Sequence, residues 1–311
     1  MSVPKTGISR RDFIRIVGGV AAVLSFPSVL FQGCRALERA RKRTSLIWLQ
    51  GQSCSGCSIS LLNAGYPDII TLLVADISLD FHQTLSWGTG EVILEVIKKR
   101  LEDRKRDFIL VVEGSIPTAS EQYCTLGETN GLAKGIRQWV VELGAAANAV
   151  VAAGTCAAYG GIPAARWKGE GAGPTGATSV AKMLPKRKVV CVPGCPPHPD
   201  WMIGTLAHCI LKGAPKLDEY NRPKLYFGKT VHDRCEWLKD YKKEKFALRW
   251  GDKGCLYKLG CLGMDSNCDI PVRKWLRGAN SCTGCGSGCI GCTEPVFPDM
   301  GKRGIYEHRQ A

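Results

Sequence analysis

Eleven of the sixteen cysteines and one histidine form three groups of four candidate metal ligands. Thiolate sulfur is soft and electron-rich, so a pocket with four such ligands favours an iron–sulfur cube or a tetrahedral zinc ion. Three such pockets in one chain indicate a route for electrons. The groups are Cys54, Cys57, Cys156 and Cys195; His232, Cys235, Cys255 and Cys261; and Cys268, Cys282, Cys289 and Cys292.

The first group follows segments that are predicted to be buried strands. Residues 46–49, 149–153 and 188–192 are short apolar runs, and each ends in a loop with one or two of these cysteines. Helical periodicity over 91–104 and 132–143 predicts helices between strands. This alternation predicts an α/β fold with a flavodoxin-like parallel sheet, whose carboxyl edge gathers distant cysteines at one site.

Glu113 follows a further predicted strand over 107–112 and is placed at the same edge. We interpret it either as a polar or proton-handling group near the ligands or as a carboxylate that orders its loop. Gly154 and Gly194 stand close to ligand cysteines, where the absence of a side chain lets the backbone approach a cluster.

The second and third groups lie in a segment of different texture. After residue 210 the periodicity fades and Gly, Pro and Cys become dense, which predicts a small irregular domain organised by its metal sites. A zinc ribbon is the alternative for this region. The predicted division is 1–43 as a signal and basic linker, 44–210 as the sheet domain and 211–311 as the cluster domain.

The first residues have the pattern of an export signal. Arg10 and Arg11 precede an apolar stretch over 16–31, as in twin-arginine signals, which carry folded proteins across the membrane. A membrane anchor is the alternative, and residues 30–34 loosely resemble a lipoprotein box ending at Cys34. We therefore expect a periplasmic protein or one at the outer face of the cytoplasmic membrane.

Charge and cysteine content exclude two other classes. Half of the net charge of +14 lies in residues 1–43, which contain nine Lys or Arg and two Asp or Glu. No nucleic-acid-binding pattern is found, and the run at 242–245 is interpreted as a solvated face. A disulfide framework is disfavoured, because residues 44–210 can bury a core without one. Five cysteines outside the groups are predicted to be inert buried thiols: Cys34, Cys124, Cys191, Cys209 and Cys285.

A set of motifs in this order resembles the small, electron-transfer subunit of nickel–iron hydrogenases over nearly the whole chain. The motifs are the twin-arginine segment, Cys54-Ser55-Gly56-Cys57, Val112-Glu113-Gly114-Ser115-Ile116-Pro117, Gly154-Thr155-Cys156-Ala157, Gly194-Cys195-Pro196-Pro197, His232-Asp233-Arg234-Cys235 and Cys289-Ile290-Gly291-Cys292-Thr293-Glu294-Pro295.

This resemblance implies three clusters. The first ligand group would hold a proximal [4Fe-4S] cluster, the second a distal [4Fe-4S] cluster with an exposed His232 at the exit, and the third a medial cluster. Hydrogen would be split in a partner large subunit, because no nickel-binding motif is present here, and electrons would pass to an acceptor such as a cytochrome or a membrane quinone-reducing subunit. A quinone-reductase-type subunit and a stand-alone electron carrier are the alternatives.

Two positions depart from patterns known in relatives. Many relatives have proline where this chain has Cys282, and their medial cluster is [3Fe-4S]; a fourth thiolate here implies [4Fe-4S], with Cys285 as a competing ligand. Oxygen-tolerant relatives with a modified proximal cluster have cysteine at positions matching Gly56 and Gly161. Glycine at both implies an ordinary proximal cubane.

Overall fold

The computed structural model describes residues 43–65, 77–88, 90–103, 107–129, 131–165 and 173–299. The predicted export segment and Cys34 lie outside these residues. From Thr44 onward the chain is one compact unit, and the division at residue 210 stays a prediction.

Most strands of the chain form one parallel sheet. The strands are β1 (Thr44–Gln50), β2 (Ile77–His82), β3 (Phe108–Glu113), β4 (Thr125–Thr129), β5 (Leu132–Gly135), β6 (Ala149–Ala153) and β7 (Val189–Val192). Five of them form the parallel sheet in the order β2-β1-β3-β6-β7. Counted along the chain within the sheet, this is the 2-1-3-4-5 order of a flavodoxin-like fold, and it confirms the predicted fold class. An antiparallel hairpin of β4 and β5 lies outside this sheet.

Helices cover both faces of the sheet, so the central strands are apolar at nearly every position. The helices are α1 (Gly56–Leu62), α2 (Glu91–Glu102), α3 (Ile136–Ala146), α4 (Gly154–Tyr159), α5 (Val180–Met183), α6 (Pro199–Lys212), α7 (Lys224–Phe227), α8 (Leu238–Lys242) and α9 (Ile270–Arg273). Side chains of β1 alternate between two cores: Ile47 and Leu49 pack with α2 and α3, whereas Leu46 and Trp48 pack with α1 and α6.

The helix predicted over 132–143 was wrong in its first turn. Residues Leu132–Gly135 form β5, which pairs with β4, and the helix begins only at Ile136. Leu132 is largely exposed, so its apolar side chain does not belong to the helical stripe. The hairpin is fastened to the helix behind it, because the Trp139 indole donates to the carbonyl of Leu126 (2.8 Å).

The region after residue 212 is irregular, as predicted. Its helices have four or five residues, and the 3-10 turns His232–Arg234 and Leu256–Leu259 connect loops. Phe227 and Ile270 join the sheet core on the α6 side. Among the described residues, no helix combines the length and apolarity needed to cross a bilayer.

Candidate iron–sulfur sites

The four cysteines of the first group converge at the carboxyl edge of the sheet. Cys54 and Cys57 follow β1, Cys156 lies in α4 directly after β6, and Cys195 follows β7. Burial raises the pKa of the Cys57 thiol well above its usual value. The charge of Glu113 raises this pKa further, and the charges of the other three cysteines also contribute. Thiols that influence one another in this way lie near one another. Cys54 and Cys195 are exposed at this edge.

Glycines adjoin the sulfurs of this site. Gly154 has φ +84°, and a Cβ there would clash with the Cys57 sulfur. At Gly161, with φ +53°, a Cβ would stand 2.8 Å from the Cys156 sulfur. Two independent reasons therefore exclude a side chain at both positions: the backbone conformation and the close approach of a cysteine sulfur.

Glu113 is fully buried at the end of β3 and accepts hydrogen bonds from four donors. They are the indole of Trp48 (3.1 Å), the amide of Gln50 (3.3 Å), the backbone N–H of Cys57 (3.0 Å) and the hydroxyl of Ser58. Both oxygens of the side chain therefore act as acceptors. Glu113 thus fixes the first turn of α1 and places a negative charge beneath Cys57.

His82 extends this network away from the ligands. Its Nδ1 accepts from the Thr84 backbone N–H (3.1 Å), so its Nε2 carries the proton and donates to Ser58 Oγ (3.0 Å). Burial lowers the pKa of His82, which keeps the ring neutral. No sequence pattern connects His82 with Glu113, because the residues of this network come from separate segments of the chain.

The second group lines one cavity, to which His232, Cys235, Cys255 and Cys261 all contribute. The prediction that His232 is exposed was wrong: the residue is half-buried, because the ring of Tyr241 lies edge-on to it, with 4.6 Å between the ring centroids. Burial raises the pKa of Cys235 to about 11.

The third group lines a larger cavity, which is bordered by Cys268, Cys282, Cys289 and Cys292 together with Cys195 of the first site. Burial raises the pKa of Cys292 to about 12. Burial also raises the pKa of Cys268 well above its usual value, and the charges of Cys289, Cys292 and Cys282 raise it further.

Comparisons with known proteins agree with this geometry. A family model described as NADH ubiquinone oxidoreductase, 20 Kd subunit, matches residues 54–209, which include the first ligand group. A second, which describes the C-terminal part of the NiFe/NiFeSe hydrogenase small subunit, matches residues 227–303, which include the other two groups. The periplasmic [NiFeSe] hydrogenase small subunit of Desulfomicrobium baculatum is 41% identical over 96% of this chain and 98% of its own.

The chain belongs to the nickel–iron hydrogenase small-subunit family. The hydrogenase-2 small chain of Escherichia coli strain K12 is 35% identical over 93% of this chain and 77% of its own. The oxidised recombinant [NiFeSe] hydrogenase of Desulfovibrio vulgaris Hildenborough superposes with a TM-score of 0.79 and 42% identity, covering 86% of this chain and 98% of that one. The match over residues 227–303 favours the hydrogenase interpretation over the quinone-reductase alternative.

As a hydrogenase small subunit, the chain is part of an enzyme whose nickel–iron centre lies in a partner large subunit. The family carries iron–sulfur clusters, and the donor sets of this chain suit them. Buried thiols that raise one another's pKa ionise together only around a positively charged core, which iron supplies. Among the described residues, no three His, Cys, Asp or Glu side chains are arranged to hold a single ion; a cubane requires a wider spacing.

Contacts within this small subunit link each site to the next. Cys195, in the first group, lines the cavity of the third group together with Cys292. The N–H of Cys289, also in the third group, donates to the sulfur of Cys261 in the second (3.2 Å). The third site therefore touches both others, which places it in the middle of a row. Thr155 strengthens the first link, because its hydroxyl donates to the Cys292 carbonyl and accepts from the Gly194 N–H (2.8 Å).

The two extra cysteines of the C-terminal run differ in position. Cys282 lines the medial cavity, as does the neighbouring Trp275. Cys285 is not among the described residues that line that cavity; it is exposed, contrary to its predicted burial, and its thiol donates to the Cys282 carbonyl (3.2 Å). Cys191, by contrast, is buried in β7 as predicted.

Polar networks hold the C-terminal ligands, and the sequence did not reveal them. The buried guanidinium of Arg222 pairs with Asp218 (2.7 Å) and Glu294 (2.9 Å), and Glu294 also accepts from the Asn267 N–H (2.6 Å). These contacts tie the loops that carry Cys268 and Cys292 to the segment before α7. They join polar residues from separate segments, and only the folded chain shows such pairs.

Glu236 connects the other two ligand loops. It follows Cys235 directly and accepts hydrogen bonds from the hydroxyls of Ser281 and Thr283 (2.7 Å) on either side of Cys282. Partial burial raises the pKa of Glu236, but these two hydrogen bonds lower it, and the pKa lies below its usual value. The distal and medial ligand loops are thereby fixed to each other.

Proposed function

We propose that this chain conducts electrons from hydrogen oxidation at the large subunit through three iron–sulfur clusters to an external acceptor. The observation that carries the proposal is the row of three four-ligand sites, in which Cys195 lines the third site and the amide of Cys289 donates to Cys261 of the second. Iron–sulfur clusters, when bound, supply one-electron carriers whose potentials respond to nearby charge and hydrogen bonds.

The residues assigned to each cluster follow the three groups. Cys54, Cys57, Cys156 and Cys195 would hold the proximal [4Fe-4S] cluster at the sheet edge. The distal [4Fe-4S] cluster would use His232, Cys235, Cys255 and Cys261, and the medial cluster Cys268, Cys282, Cys289 and Cys292. The proposal is supported by the convergence of each set in the structure.

A medial [4Fe-4S] cluster is proposed because Cys282 lines the medial cavity. Cys282→Pro would remove the fourth thiolate, and we expect a [3Fe-4S] EPR signal in the oxidised protein together with a higher medial potential. Cys285→Ser is the matched control and should leave the medial spectrum unchanged. A stoichiometric [3Fe-4S] signal in the unaltered protein would contradict the assignment.

An ordinary proximal cubane is proposed because both positions that could add cysteine ligands are glycine. A Cβ at Gly56 would lie 3.1 Å from the Cys54 sulfur, and Gly161 adjoins Cys156, so both positions face ligands. Sustained turnover in air through a proximal cluster with six cysteine ligands would contradict this proposal.

Exported location and partners complete the proposal. The Desulfomicrobium baculatum relative is named as periplasmic, and Arg10 and Arg11 suit twin-arginine export of this chain to the periplasm or to the outer face of the cytoplasmic membrane. The large subunit would dock over the edge where Cys54 and Cys195 are exposed. A cytochrome or a membrane quinone-reducing subunit would accept the electrons.

The direct test is anaerobic purification of the chain with its large subunit, followed by hydrogen-dependent reduction of benzyl viologen. We expect reduction by the complex and none by the small chain alone, because the nickel–iron centre lies in the partner. Cys261→Ala should slow electron exit while nickel content is retained. Equal viologen rates after loss of the distal and medial clusters would contradict the proposed route.

A further inference from the structure

The surface around the distal site is the most basic part of the described C-terminal region. Residues 229–258 contain nine Lys or Arg and five Asp or Glu, a net of +4. Residues 229–258 also contain three of the four distal ligands, so this positive charge lies where electrons are proposed to leave.

Four exposed lysines form a rim beside the distal ligands: Lys239, Lys242, Lys243 and Lys245, hereafter the lysine rim. The rim is placed by aromatic contacts. Tyr241, between two of these lysines, touches the His232 ring and lies 5.6 Å from the Tyr257 ring, which lines the distal cavity. Phe246, next to Lys245, lies 5.9 Å from Tyr241. The lysines therefore flank the rings that cover the distal histidine.

None of the rim lysines forms an ion pair with any residue of the described ranges. Nearby carboxylates are engaged elsewhere: Glu236 accepts from Ser281 and Thr283, and Asp252 accepts from the Arg249 N–H (3.0 Å). Residues 239–245 hold two acids against the four lysines, so this segment keeps a positive net charge.

Apolar side chains accompany the charge. Leu248 and Trp250 are 69% and 47% exposed directly after the rim. A basic rim beside exposed apolar residues has the composition of a transient docking surface, where charge steers the encounter and a small apolar patch closes it.

We infer that the lysine rim is the docking surface for a small acidic redox protein that takes electrons from the distal site. The inference deepens, and rests on, the proposed function. An acidic partner fits because opposite charges speed association, whereas a basic carrier would be repelled. An anionic membrane would also attract lysines, but it would gain nothing from their position around the distal ligands.

The electron balance needs only the proposed reaction. One hydrogen molecule releases two protons and two electrons at the large subunit, and each electron reduces one partner centre. A plant-type [2Fe-2S] ferredoxin, an acidic one-electron carrier with a reduction potential of about −400 mV, is therefore a suitable probe.

The test uses the anaerobic heterodimer and this ferredoxin. Binding is measured by titration calorimetry at low and high salt, and hydrogen-dependent ferredoxin reduction is divided by each variant's own viologen rate. K242E/K243E/K245E should weaken ferredoxin binding about tenfold or more at low salt and reverse its salt dependence. K182E/K186E/K188E makes the same charge change on exposed lysines before β7, at the opposite end of the strand from Cys195, and should leave binding unchanged.

Three results would overturn the inference while leaving the proposed function intact. The first is equal loss of binding in both variants, and the second is faster relative reduction of basic cytochrome c than of ferredoxin. The third is loss of binding to phosphatidylserine vesicles in the rim variant with ferredoxin binding retained. A heterodimer that fails to reduce viologen with hydrogen would overturn the proposed function and, with it, this inference.

Discussion

The proximal site and the two C-terminal sites are built in different ways. Proximal ligands extend from the ends of β1, β6 and β7, whose backbones are bonded in one sheet with a buried core. Medial and distal ligands lie on loops between helices of four or five residues, held by charged and hydroxyl side chains. A sheet edge exists without metal, whereas the loops need iron and polar networks to keep one arrangement.

Removal of iron should produce the largest difference between the regions. We expect chelation under reducing conditions to unfold residues 213–299 locally, because their thiols lose a shared centre, while the sheet stays folded. Hydrogen exchange read by mass spectrometry would show fast exchange around Cys255 and Cys289 and continued protection of β3. Equal loss of protection in both regions would contradict the comparison.

Glu294→Ala tests the polar network of the medial loops. The variant would leave the buried guanidinium of Arg222 with one partner fewer, and we expect a loss of about 3 kcal/mol in the free energy of unfolding. Urea unfolding would measure it, and Glu219→Ala, an exposed glutamate of the same region, is the control. A loss no larger than in that control would show that iron alone fixes these loops.

Gly154→Ala tests the sheet-edge site. A side chain there meets both a left-handed backbone and the Cys57 sulfur, so we expect about 2 kcal/mol of destabilisation and loss of proximal iron. Gly213→Ala is the control, because Gly213 has a similar φ of +78° but nothing lies within 4 Å of a Cβ built there. Iron analysis should separate the two variants; if both keep all their iron, the close approach at Gly154 is unimportant.

Glu113→Gln should have the smallest effect, one on potential rather than on folding. Removal of a negative charge beneath Cys57 favours electron addition, so the proximal potential should rise by about 60 mV, a tenfold change for a one-electron couple. Redox titration followed by EPR would measure it. An unchanged proximal potential would show that Glu113 only orders its loop.

The sequence predicted the regular part of the molecule well. The strand at Ala149–Ala153 was found at the predicted residues, and the helix that starts at Glu91 ends two residues early. Apolar runs and periodicity are local patterns, so they can be read along the chain. The helix over 132–143 was wrong because Asn130-Gly131, a hairpin dipeptide, was overlooked.

What the sequence could not predict depends on the folded arrangement. Arg222 and Glu294 are 72 residues apart, and Thr155 meets Cys292 across 137. In the sequence, buried residues such as Glu294 and Thr155 cannot be told from surface glutamates and threonines, because only their burial in the folded chain distinguishes them. The same reason hid the lysine rim, whose charges were visible but whose place beside His232 was not.

The most direct test of the central claim is the metal content of the anaerobically purified complex. Three four-iron sites in this chain predict about twelve iron atoms per small subunit beyond the iron of the nickel centre, and no stoichiometric [3Fe-4S] signal. Iron near four atoms per small subunit, or cysteines of the C-terminal sites paired as disulfides, would contradict it.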